Sequence, residues 1–464
     1  MMMWQFVIVA ISAVLSCYIY SFTILPPLPQ LHLKYWGPGN EKPDDQSIRP
    51  FRIRFPESDI IQLKNRLNST RSLSHPLENS NFQYGFNTYY MNDLLDFWIT
   101  EYNWTEREAY LNKFPQYITE IGGLDLHFVH VKPNPSQVKG KEVLPLLLIH
   151  GWPSIPSEFF HLIPLLTTPH PNVDFLFEVI IPSLPGFGFS KSPSKKGLNA
   201  AEMGLILDEL MERLSFESYH IHTEDIGSAI GMALSILRPD RVRGFHSTLC
   251  VPFTLKSMFY TVLSTLFPRI FVEEPRREMF AKQWSFWIEE TGYLHMQSTK
   301  PDTVGVALTD SPAGFAAYTL EKVLTGENKQ AKFLPDGGLK DLNKLEVLDN
   351  IMVLWLTKTV TSSLRIYAEN FNSGYFIGLG IYQYPINVPS ACVWFKDEIA
   401  YFPQIAVEAS FSNLLSFNLY PKGGHFAALN EPKLLSDDIW NFIKILRRKT
   451  DQRICLRSNI TSHG

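Results

Sequence analysis

Asp225 sits between two contrasting stretches, the apolar run Tyr219-His220-Ile221-His222 before it and the helix-like Ser228-Ala229-Ile230-Gly231-Met232-Ala233-Leu234 after it. A strand, a tight turn and a helix, with a reactive side chain at the turn, make a nucleophile elbow. The reactive group here is a carboxylate, whose ordinary pKa near ~4 leaves it ionised at neutral pH. It can attack an alkyl carbon with no base to deprotonate it, which frees a histidine for a later step. Taken alone, Asp225 would serve equally as the N-cap of the following helix.

Two distant residues bear on that choice. A hydrolase with this elbow presents nucleophile, acid and histidine in that chain order, the acid after a later strand and the histidine after the last one. Ile386 to Trp394 reads as a buried strand leading into Phe395-Lys396-Asp397-Glu398, where Glu398 is the candidate orienting acid and Asp397 its neighbour. Leu414 to Tyr420 reads as the final strand. It leads into Pro421-Lys422-Gly423-Gly424-His425-Phe426, and His425 is the candidate base. Upstream, the unbroken apolar run Val143 to Ile149 suits a parallel strand covered on both faces and ends in His150-Gly151-Trp152-Pro153. The backbone N–H groups of Trp152 and Ile226 would form an oxyanion hole for a tetrahedral intermediate on the Asp225 carboxyl carbon. His150 reads as structural. The expected fold is therefore an α/β-hydrolase, a mostly parallel central sheet with helices on both faces.

The chain resembles the microsomal-type epoxide hydrolases, the group that includes juvenile hormone epoxide hydrolases, over nearly its whole length. The matching segments are Arg49-Pro50-Phe51 with Phe55-Pro56, His150-Gly151-Trp152-Pro153, Pro182-Ser183-Leu184-Pro185-Gly186-Phe187-Gly188-Phe189-Ser190 and Gly423-Gly424-His425-Phe426-Ala427-Ala428. The most specific are Gly292-Tyr293-Leu294-His295-Met296-Gln297 and its continuation to Asp310-Ser311-Pro312, which resemble the lid of that family. The resemblance implies two proton-donating tyrosines, Tyr293 and Tyr367. A phenol with pKa near ~10 stays protonated at neutral pH and can share its proton with an opening epoxide. It also implies a covalent ester on Asp225, hydrolysed by water that His425, held by Glu398, activates. Lipophilic epoxides would become vicinal diols.

The elbow departs from the family's usual Gly-Gly-Asp-Trp-Gly and reads Thr223-Glu224-Asp225-Ile226-Gly227. Close helix–strand packing calls for small residues two before and two after the nucleophile. Gly227 meets that need and Thr223 fits it poorly. Glu224 adds a second carboxylate, and like charges disfavour ionisation of one of a pair. A weakened, hydrolase-like lipophile-binding protein is thus one alternative, and a haloalkane dehalogenase, which shares the Asp nucleophile, is another. A serine esterase is disfavoured, because no Gly-x-Ser-x-Gly occurs at the elbow.

At 464 residues with 45% hydrophobic content, the chain can bury one large core plus a lid and an N-terminal segment. A net charge of −4 offers no basic face for nucleic acid. Cys17, Cys250, Cys392 and Cys455 lack metal spacing, and their scatter argues against a disulfide framework. No metal cluster, P-loop or dinucleotide fingerprint is present, so no cofactor is expected.

Trp4 to Leu25 is uncharged and long enough to span a bilayer, and no Lys or Arg precedes it, so it reads as a retained anchor. Lys34 and Lys42 beyond it place the catalytic domain on the cytosolic side, at the endoplasmic reticulum. The sequons at Asn68, Asn103 and Asn459 suit the opposite, lumenal side. The chain divides into an anchor and Pro-rich linker (1–30), a mostly helical arm (49–114), a first core segment (115–251), a lid (252–370), a second core segment (371–450) and a tail (451–464). The oligomeric state is not legible.

Overall fold

The computed structural model describes residues 25, 27–171, 173–371 and 380–461, with side chains of the final helix to residue 452. The apolar stretch before the His-Gly-Trp-Pro loop forms β4 (Glu142–Ile149), and its period of two divides two cores. Leu146 and Leu148 pack with Trp440 and Ile443 on one face of the sheet. Leu147 and Ile149 pack with Ile230 and Leu207 on the other. Nine strands run in the order β1-β2-β3-β5-β4-β6-β7-β8-β9. From β5 (Phe175–Pro182) through β6 (Tyr219–Thr223), β7 (Val242–Ser247) and β8 (Ser390–Trp394) to β9 (Leu414–Leu419) the pairing is parallel. β1 (Arg49–Phe51), β2 (Gln116–Ile121) and β3 (Leu124–Val131) add an antiparallel edge. The β2–β3 hairpin turns at Gly122-Gly123, both at positive φ, with the Asp44 carboxylate accepting both N–H groups. This is an α/β-hydrolase fold.

Two corrections to the sequence reading follow. The strand expected from Ile386 begins at Ser390, because Pro389 has no N–H for the ladder, and Ile386 makes only an isolated bridge to Phe411. Cys250 and Cys392 are joined in a disulfide, with sulfurs 2.01 Å apart and both residues buried. The chain leaving β7 folds back over its neighbour β8, a proximity hidden by a separation of 142 residues. The run Trp4 to Leu25 lies, apart from Leu25, outside the described residues. Among the described residues no helix is long and apolar enough to cross a membrane.

Between β7 and β8 the chain leaves the sheet for a helical lid running from Leu255 to Phe371. The N-terminal arm clamps it. Tyr102 donates to Asp349 at 2.6 Å, and Arg107 forms a bidentate pair with the same buried carboxylate. Arg66 reaches the Asp310 carboxylate at 2.8 Å, and Asn81 donates to the Phe333 carbonyl. The arm thereby holds lid helices that are remote in sequence against the C-terminal ends of the parallel strands, where ligands bind in open α/β sheets.

Candidate active site

Asp225 lies two residues beyond the end of β6 with φ of +49°, a left-handed conformation that is strained for a non-glycine residue and projects its carboxylate from the turn. The turn fits because its neighbours are small. A Cβ on Gly227 would lie 2.5 Å from the His150 carbonyl and 2.6 Å from that of Ile149, and one on Gly151 would run into the Asp225 carboxylate. Thr223 is fully buried and tolerated because its Cγ2 occupies the space over Gly231, where an added Cβ would come within 2.5 Å of it.

Asp225 Oδ1 accepts the Trp152 N–H at 2.9 Å, and Oδ2 lies 3.1 Å from His425 Nε2. His425 Nδ1 is 2.6 Å from Glu398 Oε1, which also accepts the Ile399 N–H at 2.8 Å. Glu398 is fully buried. Its neighbour Asp397 faces Lys396 and takes no part. The three residues come from the ends of β6, β8 and β9. Gly423 and Gly424 let the histidine loop pass close beneath the lid, since a Cβ on Gly424 would meet the Gly326 carbonyl at 2.6 Å. The His425 N–H donates to that carbonyl. Ile226 caps the elbow helix (Gly227–Leu237) directly after the nucleophile. His150 is buried, held neutral by burial that pulls its pKa down to about 4, and accepts the Leu184 N–H at 3.1 Å.

Burial pulls the His425 pKa down, but Glu398 and Asp225 outweigh it and hold the imidazole well above its ordinary value. The resting site therefore contains an imidazolium between two carboxylates. Over it stand the lid phenols. Tyr293 stacks on Trp152 with ring centroids 5.7 Å apart, and Tyr367 meets both rings edge-on at 6.0 Å. Burial first, then the Asp225 charge, raises the pKa of each. Tyr293, Asp225 and His425 share a cavity of about 630 Å³ with Trp152, Leu249, Phe253 and Trp287.

Three further acids surround the triad, of which Glu158 and Glu327 belong to no motif. Glu158, on the turn Pro156–Phe159, is fully buried opposite Glu224, and burial raises its pKa to about 8. Glu224 is pushed well above the carboxylate range by burial and then by Glu158. The second carboxylate at the elbow thus meets its like-charge neighbour in Glu158, and burial favours the neutral form of both. Glu327 accepts the Phe426 N–H at 2.9 Å and is raised to about 7 by burial. Tyr318 is a third phenol nearby, edge-on to Trp152 and accepting a hydrogen bond from Gln297.

Residues 48–159 match the epoxide hydrolase N terminus, and residues 145–264 match the alpha/beta hydrolase fold. Juvenile hormone epoxide hydrolase 2 of Ctenocephalides felis is 44% identical over 94% of this chain and 94% of its own length. Epoxide hydrolase 1 of Oryctolagus cuniculus is 38% identical over 95% of this chain and 99% of its own. The crystal structure of juvenile hormone epoxide hydrolase from Bombyx mori superimposes with a TM-score of 0.86 at 37% identity, covering 90% of this chain and 99% of that one. The chain belongs to the epoxide hydrolase family and to the branch that holds the juvenile hormone and microsomal enzymes.

Proposed function

We propose that this epoxide hydrolase converts lipophilic epoxides to vicinal diols through an ester on Asp225. The observation that carries the reading is the continuous hydrogen-bonded series Glu398–His425–Asp225 beneath two phenols, with Asp225, His425 and Tyr293 facing one apolar cavity and Tyr367 packed edge-on behind Tyr293. Because Oδ1 already accepts the Trp152 N–H, Oδ2 attacks the epoxide carbon and Oδ1 becomes the ester carbonyl. The carbon–oxygen bond of the ring breaks, and Tyr293 and Tyr367 donate hydrogen bonds and a proton to the departing oxygen. Water, deprotonated by His425, then adds to the ester carbonyl, whose oxyanion is held by the Trp152 and Ile226 N–H groups. His425 can act as this base because its imidazolium first returns to the phenols the proton they gave up. Collapse then releases the diol as His425 protonates the departing oxygen, and the proton left on the Asp225 carboxyl passes to His425 and restores the resting imidazolium.

One charge times both halves. The Asp225 carboxylate supports both the imidazolium and the protonated phenols. Esterification removes that charge, which lowers the phenol pKa as the alkoxide needs a proton and lowers the His425 pKa as a base is needed.

General-base help is typically worth about 10²–10⁴-fold, and His425→Gln should remove it from the second half only. Mass spectrometry of the intact variant after exposure to a reactive epoxide should show one added substrate mass, mapped to the Asp225 peptide. Asp225→Ala should show none. A folded His425→Gln protein that gains no mass across a varied epoxide panel would overturn the ester on Asp225, and lipophile binding by the parent protein without diol formation would then favour the binding-protein reading motivated by Thr223 and Glu224.

We further propose that Trp4 to Leu25 anchors the chain in the endoplasmic reticulum membrane with the catalytic domain in the cytosol, on the support of Lys34 and Lys42. The Cys250–Cys392 bond argues for the lumen, since the cytosol keeps thiols reduced. Glycosidase treatment of the cellular protein decides between them. A cytosolic domain leaves gel mobility unchanged, and a shift puts Asn68, Asn103 or Asn459 in the lumen.

A further inference from the structure

The cavity over Asp225 is walled partly by residues that are themselves exposed. Met258, Val262 and Trp284 line it, yet each is more than half open to solvent. The mouth therefore lies on the outer face of the lid, between the helices Leu255–Leu266 and Arg277–Glu290. Around it that face stays apolar. Val262, Leu266 and Ile270 succeed one another at intervals of four, with Phe259 and Phe267 beside them, and Ile270 is 74% exposed. On the second helix Trp284 and Ile288 stand one turn apart, the latter 83% exposed. Contiguous apolar surface on this scale marks an interaction site.

Charge and hydrogen bonding identify the occupant. From Leu255 to Phe271 the chain carries Lys256 and Arg269 and no carboxylate. The next acid, Glu273, turns inward to the Tyr401 hydroxyl and the Gln404 N–H. Ser257, Thr261, Ser264 and Thr265 each donate to a carbonyl one turn back, so the helix offers few unsatisfied donors to a protein partner. Glu278 and Lys282 pair with each other, and Lys282, two residues before Trp284, falls on the opposite side of its helix. An apolar face with a tryptophan and sparse cations suits the boundary between lipid headgroups and acyl chains. The uncharged run Trp4 to Leu25 of the same chain suits the same phase.

We propose that this lid face docks on a phospholipid bilayer, so that the cavity opens into lipid and takes up epoxides dissolved in the membrane without passage through water. The docking stands on the surface alone, and the uptake rests on the epoxide hydrolase reading.

The test uses the full chain with Cys17→Ser and Cys455→Ser, leaving the Cys250–Cys392 bond in place. An environment-sensitive fluorophore is attached at Ile270→Cys, at Ile288→Cys, or at Lys139→Cys as the reference. Lys139 is exposed just before β4, at the end of the parallel strands away from the lid. In vesicles of phosphatidylcholine and phosphatidylserine containing brominated lipid, the labels at 270 and 288 should shift to the blue and be quenched, and the label at 139 should not. Absence of quenching at 270 and 288, or equal quenching at 139, overturns the docking. A blue shift that grows with protein concentration without vesicles also overturns it and assigns the face to a second copy of the chain. In a second readout, Ile270→Glu/Ile288→Glu should lose at least about tenfold in kcat/KM on an epoxide carried in the vesicles and keep its rate on water-soluble styrene oxide. Equal loss on both substrates overturns the uptake route and leaves the docking to the fluorophores.

Discussion

The floor and the roof of the site follow opposite rules. The floor, at the ends of β4, β6, β8 and β9, concentrates Asp225, His425, Glu398, Glu224 and Glu158 in a largely buried space, with backbone N–H groups and glycine clearances fixing the geometry. The roof is mostly aromatic and aliphatic, contributes phenols in place of charges, and exposes apolar surface at its mouth. The difference teaches how the labour divides. Buried charges are costly unless paired, so they sit where the sheet predetermines their partners. Affinity for a lipophilic substrate needs area more than exact placement, so it is supplied by helices that an arm holds from outside.

The largest expected effect tests that division from the roof side. Tyr293→Phe and Tyr367→Phe should each slow ester formation, and the double change should nearly abolish it, because no proton then reaches the departing oxygen. The defect should be confined to the first half-reaction, seen as loss of the single-turnover burst with no stranded ester. His425→Gln strands the ester, so the two sets of variants fail at opposite steps. Full single-turnover activity in the double tyrosine variant removes the roof from the chemistry and reduces it to a binding surface.

What the sequence discloses divides along the same line. Asp225, Glu398 and His425 are legible because an elbow, chain order and strand ends constrain them locally. Tyr293 and Tyr367 are two of 19 tyrosines and emerge only through the family's lid motifs. Glu158 is invisible, since a glutamate on a short turn becomes significant only when folding buries it against Glu224. Cys250 and Cys392 lie too far apart in sequence for spacing to pair them. Thr223 reads as a misfit when judged on its own position. The compensating signal was present at Gly231, four residues beyond Gly227, and needed the strand–helix contact to interpret it.

That compensation supplies a smaller and sharper test of the floor. Gly231→Ala should place its Cβ against the Thr223 Cγ2 at 2.5 Å and Phe245 at 3.0 Å. Overpacking of this kind costs about 1–3 kcal/mol. The double variant Thr223→Gly/Gly231→Ala should recover most of that loss in denaturant unfolding, which would make the two positions one unit of packing. Additive losses would show that Thr223 is accommodated by other means and that the elbow carries strain the neighbouring glycine does not relieve.

The smallest effect concerns the acids the floor keeps neutral. Glu158 rises from an ordinary 4.5 to about 8 on folding, chiefly through burial. Between those values the native protein keeps a proton that the unfolded chain releases, so the native state binds more protons and stability falls as pH rises through the window. Glu158→Gln keeps the shape and hydrogen-bonding capacity of the protonated acid and cannot ionise. Its melting temperature should therefore fall less steeply than that of the parent between mildly acidic and mildly alkaline pH, with the two proteins most alike at the acid end. The roof offers a control: Tyr318→Phe removes a group that stays protonated throughout this range and should leave the slope unchanged. An unchanged slope in Glu158→Gln would mean that Glu158 is ionised in the folded protein, and the floor would then hold one more buried charge than the arrangement with Glu224 accommodates.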